Sequence, residues 1–355
     1  MYAWVIAAAL ALPAPAPVAA MDTAPPTQVM ALPPALQARL RAEVLADNPS
    51  QTRRLDRLAD FMFDPQGLGM VYAEDATYSV EQAYATRTAN CLSFTLLFLA
   101  LAREAGLDAY PQEVGETLAW RQHEGVIYRN NHVNAGVRIG GRVFVVDVAG
   151  DSIIAKKIPA RVSDRRLLAH YYNNLAVNDL EIGKTASALR NMATALELDP
   201  DYAPHWSNAG VLHLRDGDAE AAEQAYTKAL DLDPLDASTL FNMAGLSHRN
   251  GDRRREAEFR RRLARVQQKD PFHHFLQAKD FERVGDYPRA IEHYRRAIRL
   301  HRGEHRFYSA LAHAYLQAGD TRRAAKALAS AQAYSDGSTR AAYQSQLDGL
   351  RRVAD

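Results

Sequence analysis

Leu214-Arg215-Asp216-Gly217-Asp218-Ala219-Glu220-Ala221-Ala222 decides most of the fold, because its pattern returns along the chain. Gly183, Gly217, Gly251, Gly285 and Gly319 stand 34 residues apart, and Asp218, Asp252, Asp286 and Asp320 follow four of them. Small residues recur seven positions before each glycine: Ala176, Gly210, Ala244, Ala278 and Ala312. Others recur after it, at Ala188, Ala222, Ala290 and Ala324, and again at Ala195, Ala229, Ala297 and Ala331. This spacing predicts units of two amphipathic helices crossing closely at the small residues. Glycine ends the first helix because it takes positive φ without a Cβ clash. Asp199-Pro200, Asp233-Pro234 and Asp270-Pro271 close a unit, since proline cannot continue a helix. In the third unit Glu256 and Leu263 replace small residues, which predicts a splayed or shifted helix pair.

A helical hairpin with this period resembles the tetratricopeptide repeat (TPR) family. The resemblance covers residues 169–337, five units, and implies an all-α solenoid whose groove takes a protein or peptide partner. Residues 338–355 place Ala341, Tyr343, Leu347 and Leu350 at helical spacing, and read as a capping helix that shields the last unit. Arg253 to Arg265 holds seven Arg against two Glu, a solvated face or a dock for an acidic partner.

Outward from the repeats, the composition is that of a folded protein. The chain has 355 residues, 47% apolar and 24% charged, enough for two domains and too apolar for general disorder. Its 43 basic and 42 acidic residues give a net charge of +1, so no nucleic-acid partner is expected. The single cysteine, Cys91, excludes an internal disulfide framework, a CxxC redox pair and a multi-cysteine zinc site. No glycine-rich phosphate loop or EF-hand pattern occurs, and the adjacent His273-His274 do not share a helix face. No cofactor or metal is therefore expected.

No charged side chain precedes Asp22. Tyr2 to Leu12 is an apolar run of eleven, short of the roughly 20 residues that span a bilayer, so no stable membrane span is expected. Pro13, Pro15 and Pro17 follow, then the small residues Val18-Ala19-Ala20, so residues 1–20 read as an export signal. A periplasmic or secreted location would follow. Residues 21–34 are proline-rich and read as an extended linker.

Residues 35–165 have a different texture. Ala35 to Ala46, Thr52 to Phe63 and Tyr78 to Ala85 read as helices. Asn90 is an N-cap, and the helix from Cys91 to Ala105 is apolar nearly all round, so it is expected to be central and buried. Cys91 opens its first turn, where the helix dipole and unpaired backbone N–H groups favour a thiolate and can hold a developing oxyanion. Asp108 to Val114 reads as a strand. His132 to Ile139 alternates, Gly140-Gly141 is a hairpin turn, and Arg142 to Val148 returns. Counting outward from Ile139 opposite Arg142 sets Asn134 opposite Asp147. His132 shares a face with Asn134, so His132 and Asp147 are diagonal neighbours, roughly 7–8 Å apart at the backbone. This is the layout of a thiol nucleophile, a base and an orienting carboxylate.

At these residues the segment resembles the transglutaminase-like, papain-related cysteine domain, over about Tyr72 to Ala160. The resemblance implies an α+β transglutaminase-like fold, a central helix plus antiparallel sheet, joined to the repeats. It implies Cys91 as nucleophile, His132 as base and Asp147 as the orienting residue. The family often has glycine two before the cysteine and an aromatic residue two after the histidine; here these are Ala89 and Asn134. Gln112 or Gln82 are candidate oxyanion donors, Trp120 a candidate cleft wall and His123 an alternative base. The implied activity is that of a thiol-dependent amide hydrolase or acyl transferase, peptidase- or transglutaminase-like, on a peptide or protein recruited by the repeats. The rival is a catalytically inactive scaffold for protein–protein interaction.

Overall fold

The computed structural model describes residues 23–115, 120–123, 126–129, 132–148 and 158–354. The expected export signal at 1–20 lies outside them. The chain forms two compact units, Met1–Asn242 and Met243–Asp355.

In the first unit, α1 (Pro34–Arg39) runs into a π-helical turn at Leu40–Val44, and α2 (Gln51–Phe63) follows, capped by the Ser50 hydroxyl. Leu36, Leu40, Val44, Leu55, Leu58 and Met62 are buried on the inward faces. The proline-rich stretch is not a free linker where it is described. Val29 is buried, its carbonyl accepts the Val80 N–H at 2.8 Å, and the Ala24 carbonyl accepts the Tyr172 hydroxyl at 2.5 Å. The apolar Val29 anchors a segment whose prolines pointed to extended chain.

Next, β1 (Val71–Tyr72) pairs in parallel with β2 (Thr88–Ala89), and α3 (Val80–Thr86) lies between them. The central helix, α4 (Cys91–Glu104), is buried at every residue from Leu92 to Ala102. That matches its all-round apolar sequence. Three strands follow in order: β3 (Asp108–Val114), β4 (Trp120–His123) and β5 (Val126–Arg129). Then come β6 (His132–Ile139), β7 (Arg142–Val146) and β8 (Ala160–Arg161). β7-β6-β3-β8 is a four-stranded antiparallel sheet, and β4 pairs with β5 apart from it. Gly140 and Gly141 turn with φ of 55° and 78°, and Ile139 pairs with Arg142. This is the register the hairpin count predicts.

Two helix pairs complete the unit: α5 (Asp164–Glu181) with α6 (Thr185–Leu198), and α7 (Ala203–Arg215) with α8 (Ala219–Leu232). Gly183 and Gly217 sit at the turns with φ of 77° and 91°. α5 packs on α4 and β3, so the repeat sequence begins well before the compact unit ends. α9 (Ala237–Arg249) runs across the boundary.

The second unit continues with α10 (Arg253–Gln267), α11 (Pro271–Arg283) and α12 (Tyr287–Leu300). It ends with α13 (His305–Gln317), α14 (Thr321–Ala333) and α15 (Gly337–Ala354). Its repeated aspartates are N-caps. The Asp252, Asp286 and Asp320 carboxylates accept the N–H groups of Arg255, Arg289 and Arg323 at 2.9, 3.1 and 2.8 Å. Each Gly-Asp pair therefore stops one helix and starts the next. Ala278, Ala290, Ala297, Ala312, Ala324 and Ala331 are buried at the crossings. In the odd third pair Leu263 and Phe259 are buried, and Glu256 bridges the turn to His248 Nδ1 at 3.0 Å and to Arg260 Nε at 2.8 Å. α15 packs on α14 through Tyr343 and Leu347, while Ala341 stays exposed. The molecule is thus mostly helical, with a repeat array following a small sheet.

Candidate active site

Cys91 is placed by a web of side-chain caps. Asn90 Oδ1 accepts the Ser93 N–H at 2.9 Å, and Asn90 Nδ2 donates to Thr77 Oγ1 at 2.8 Å. Ser93 Oγ accepts the Tyr78 N–H at 2.6 Å and donates to the Ala76 carbonyl at 2.9 Å. Thr95 Oγ1 donates to the Cys91 carbonyl at 2.7 Å. These bonds pin the first turn of α4 against residues 76–78. Cys91 itself is half-buried, while the helix behind it is sealed in the core.

His132 opens β6 and is 4% exposed. Its Nε2 lies 2.7 Å from Asp147 Oδ2, so a protonated Nε2 donates to the carboxylate. Asp147 comes one residue after β7. The Asn134 amide donates to the same oxygen at 3.0 Å. Burial alone would push the His132 ring down; the Asp147 hydrogen bond and then the Cys91 side chain reverse this and raise its pKa to about 9. Nδ1, across the ring from the Asp147 contact, has no hydrogen-bond partner among the described residues. His132 and Asp147 therefore meet, 15 positions apart in sequence, and the Cys91 side chain, 41 positions before His132, contributes to the raised pKa of the ring. An imidazole held at one nitrogen by a carboxylate, with a thiol among the groups that raise its pKa, has the chemistry to take a thiol proton and return it to a leaving group.

The secondary candidates separate. Gln112 is buried on β3, directly opposite Asn134, and its Oε1 has no partner among the described residues. Gln82 is instead the third residue of the α3 capping box, its Oε1 accepting the Ser79 N–H at 2.9 Å. Trp120 and His123 lie on β4, and their side chains fall outside the described residues.

Two clusters escape a reading of the sequence alone. Asn173, Asn208 and Asn242, one per repeat, are buried; Asn208 Nδ2 donates to Asn173 Oδ1 at 2.8 Å, and Asn242 Nδ2 has no partner among the described residues. Their recurrence at 35 and 34 positions was the available signal. The second surrounds Glu113 of β3. The Tyr202 hydroxyl donates to its carboxylate, His170 Nε2 lies 3.8 Å away and Arg166 Nη1 3.7 Å away. Arg166 Nε also meets Asp199 at 2.5 Å, and His170 Nδ1 lies 3.1 Å from His205 Nε2. Burial would raise the Glu113 carboxyl, but His170, Tyr202 and Arg166 bring it down to about 2. Burial, then the charges of His170 and Arg166, push His205 well below its ordinary value. No local spacing links β3 to α5 and α7, so this network has no motif.

Two family models, each described as a tetratricopeptide repeat, match residues 173–237 and 283–346. Both stretches lie in the repeat region, and neither reaches the Cys91 segment. No curated protein matches the chain. Among solved structures, the MamA protein is 18% identical, covering 47% of this chain and 91% of its own at a TM-score of 0.27. Pseudomonas aeruginosa pilF is 20% identical, covering 53% and 94% at 0.28. YrrB, described as a TPR protein with an unusual peptide-binding site, is 16% identical, covering 50% and 92% at 0.26. No helix among the described residues is long and apolar enough to cross a membrane. The chain carries tetratricopeptide repeats, and proteins built on that repeat bind protein or peptide partners.

Proposed function

We propose that the protein is a thiol-dependent amide hydrolase or acyl transferase of transglutaminase-like type, acting on a peptide or protein brought by its repeats. The observation that carries this is the His132 ring, tied to Asp147 at 2.7 Å and raised to about 9 by Asp147 and Cys91. Cys91 Sγ gives its proton to His132 and attacks the amide carbonyl. Backbone N–H groups of the first turn of α4 face the developing oxyanion. His132 then protonates the departing nitrogen, which leaves a thioester on Cys91. Water yields hydrolysis, and an amine yields transfer. An exported, periplasmic or secreted location is part of the proposal and rests on residues 1–20.

Because Cys91 is the sole cysteine, its alkylation by iodoacetamide can be followed by intact mass without ambiguity. The reading expects alkylation well below pH 7 that collapses in His132→Ala. Alkylation only after denaturation would leave the second reading, an inactive scaffold. That alternative is favoured by one observation: both family matches fall on the repeats.

A further inference from the structure

We propose that Asn134 is a positioning residue for this thiol chemistry, holding the Asp147 carboxylate so that the His132 ring stays turned toward Cys91. The inference rests on the thiol reading above.

β7 ends at Val146, and the last paired residues are Ala135 and Val146. Asp147 follows directly on that last paired residue. Asn134 stands opposite it, and its Nδ2 reaches Asp147 Oδ2 at 3.0 Å, the oxygen that also meets His132 Nε2 at 2.7 Å. Only the NH2 end of the amide can face a carboxylate, so its orientation is set by chemistry.

The cost of the residue points the same way. Asn134 is 2% exposed, and its strand neighbours Val133, Ala135 and Val137 are buried and apolar. Its Oδ1 is buried with no partner among the described residues. A buried amide with an orphaned oxygen is a poor choice for a strand interior, where valine or an aromatic residue packs better. Its described hydrogen bond goes to the carboxylate that orients the imidazole.

The test compares Cys91 alkylation rates from about pH 5 to 10 in the wild type, Asn134→Leu, Asn134→Val and His132→Ala. Near pH 10 any accessible thiol ionises unaided. The expected result is a roughly tenfold loss near pH 6 in both Asn134 variants, with the rate near pH 10 unchanged, the size expected for one hydrogen bond to a charged group. In an Asp147→Ala background Asn134→Leu should have no further effect, because Asn134 acts through Asp147. A uniform fall at all pH values, or an additive effect in that background, would mark Asn134 as merely structural and overturn the inference. Should the leucine variant not fold, the β-branched valine variant gives the same comparison. If both Asn134 variants match a reactive wild type, the inference alone fails. If the wild type reacts no faster than His132→Ala near pH 6, the thiol reading fails and takes the inference with it.

Discussion

A methyl group does not fit at Gly136. A Cβ there would lie 2.6 Å from the Tyr110 ring, and one at Gly210 would lie 2.4 Å from the Tyr226 ring. Both rings are buried, so relief means moving packed neighbours. Gly136→Ala and Gly210→Ala should each lower stability by about 1–3 kcal/mol in urea unfolding. Their effects on Cys91 should differ. Gly136 shares β6 with His132 and Asn134, so its variant should also slow alkylation near pH 6, whereas Gly210→Ala should not. Equal effects of the two would contradict the placement of the site on β6. His132 adds a pH signature. Its folded value of about 9 exceeds the ordinary 6.5. The folded state binds that proton more tightly, so its stabilising contribution is complete below about pH 6.5 and lost as pH rises through 9. His132→Ala should flatten the stability curve across that window, and an unchanged slope would refute the raised ring. At this scale the His132–Asp147 contact was legible because strand alternation and the hairpin register fix which way those side chains face, and the place of Cys91 at the helix start was legible from the Asn90 cap. The Asn134 contact was half legible: the hairpin count set it opposite Asp147, but the count does not say that the carboxylate lies past the end of the strand.

Elements were legible where a local rule decides them. Asn90 marks the start of α4, the Gly-Asp pairs mark the repeat turns, and Gly140-Gly141 sets the hairpin register. They were less legible where packing overrides local preference. Ala35 to Ala46 reads as one α-helix, yet the backbone widens into a π-turn at Leu40–Val44, with the Leu45 N–H reaching the Leu40 carbonyl at 3.1 Å. Leu36, Leu40 and Val44 all stay buried through that change. The α4 start gives the sharpest test at this scale. Asn90 both caps the helix and donates to Thr77 Oγ1. Asn90→Ala should cost about 0.5–2 kcal/mol for the cap, with a further loss for the abandoned Thr77 contact. Because Cys91 is the first residue after the cap, the variant should also lose low-pH alkylation, whereas Ser50→Ala, which uncaps α2, should cost stability alone. If uncapping α4 leaves Cys91 reactivity intact, the first turn does not support the thiolate.

At the scale of the whole molecule, the 34-residue period was plain in the sequence, but the edge of the first compact unit was not. Repeat spacing says where helices turn, not what they pack against. α5 and α7 meet the sheet through Glu113, His170, Tyr202 and His205, with Arg166 over the Tyr202 ring at 4.3 Å and paired with Asp199. These buried groups make the acid limb of stability predictable. His205 is 0% exposed and its proton affinity is held well below the ordinary 6.5, first by burial and then by the charges of His170 and Arg166. Below about pH 6.5 the unfolded chain binds a proton that the folded one refuses, so stability falls as pH drops. Glu113 acts lower down. Its folded value of about 2 against 4.5 gives a contribution complete above pH 4.5 and lost as pH falls toward 2. His205→Leu removes the first loss but strands His170 Nδ1, so at pH 8 it should be less stable by about 1–3 kcal/mol. Between pH 6.5 and 4.5 its curve should be shallower than that of the wild type, and the two should converge on acidification. Urea unfolding across that range reads this directly. Parallel curves would mean that His205 is not the group that sets the acid limit.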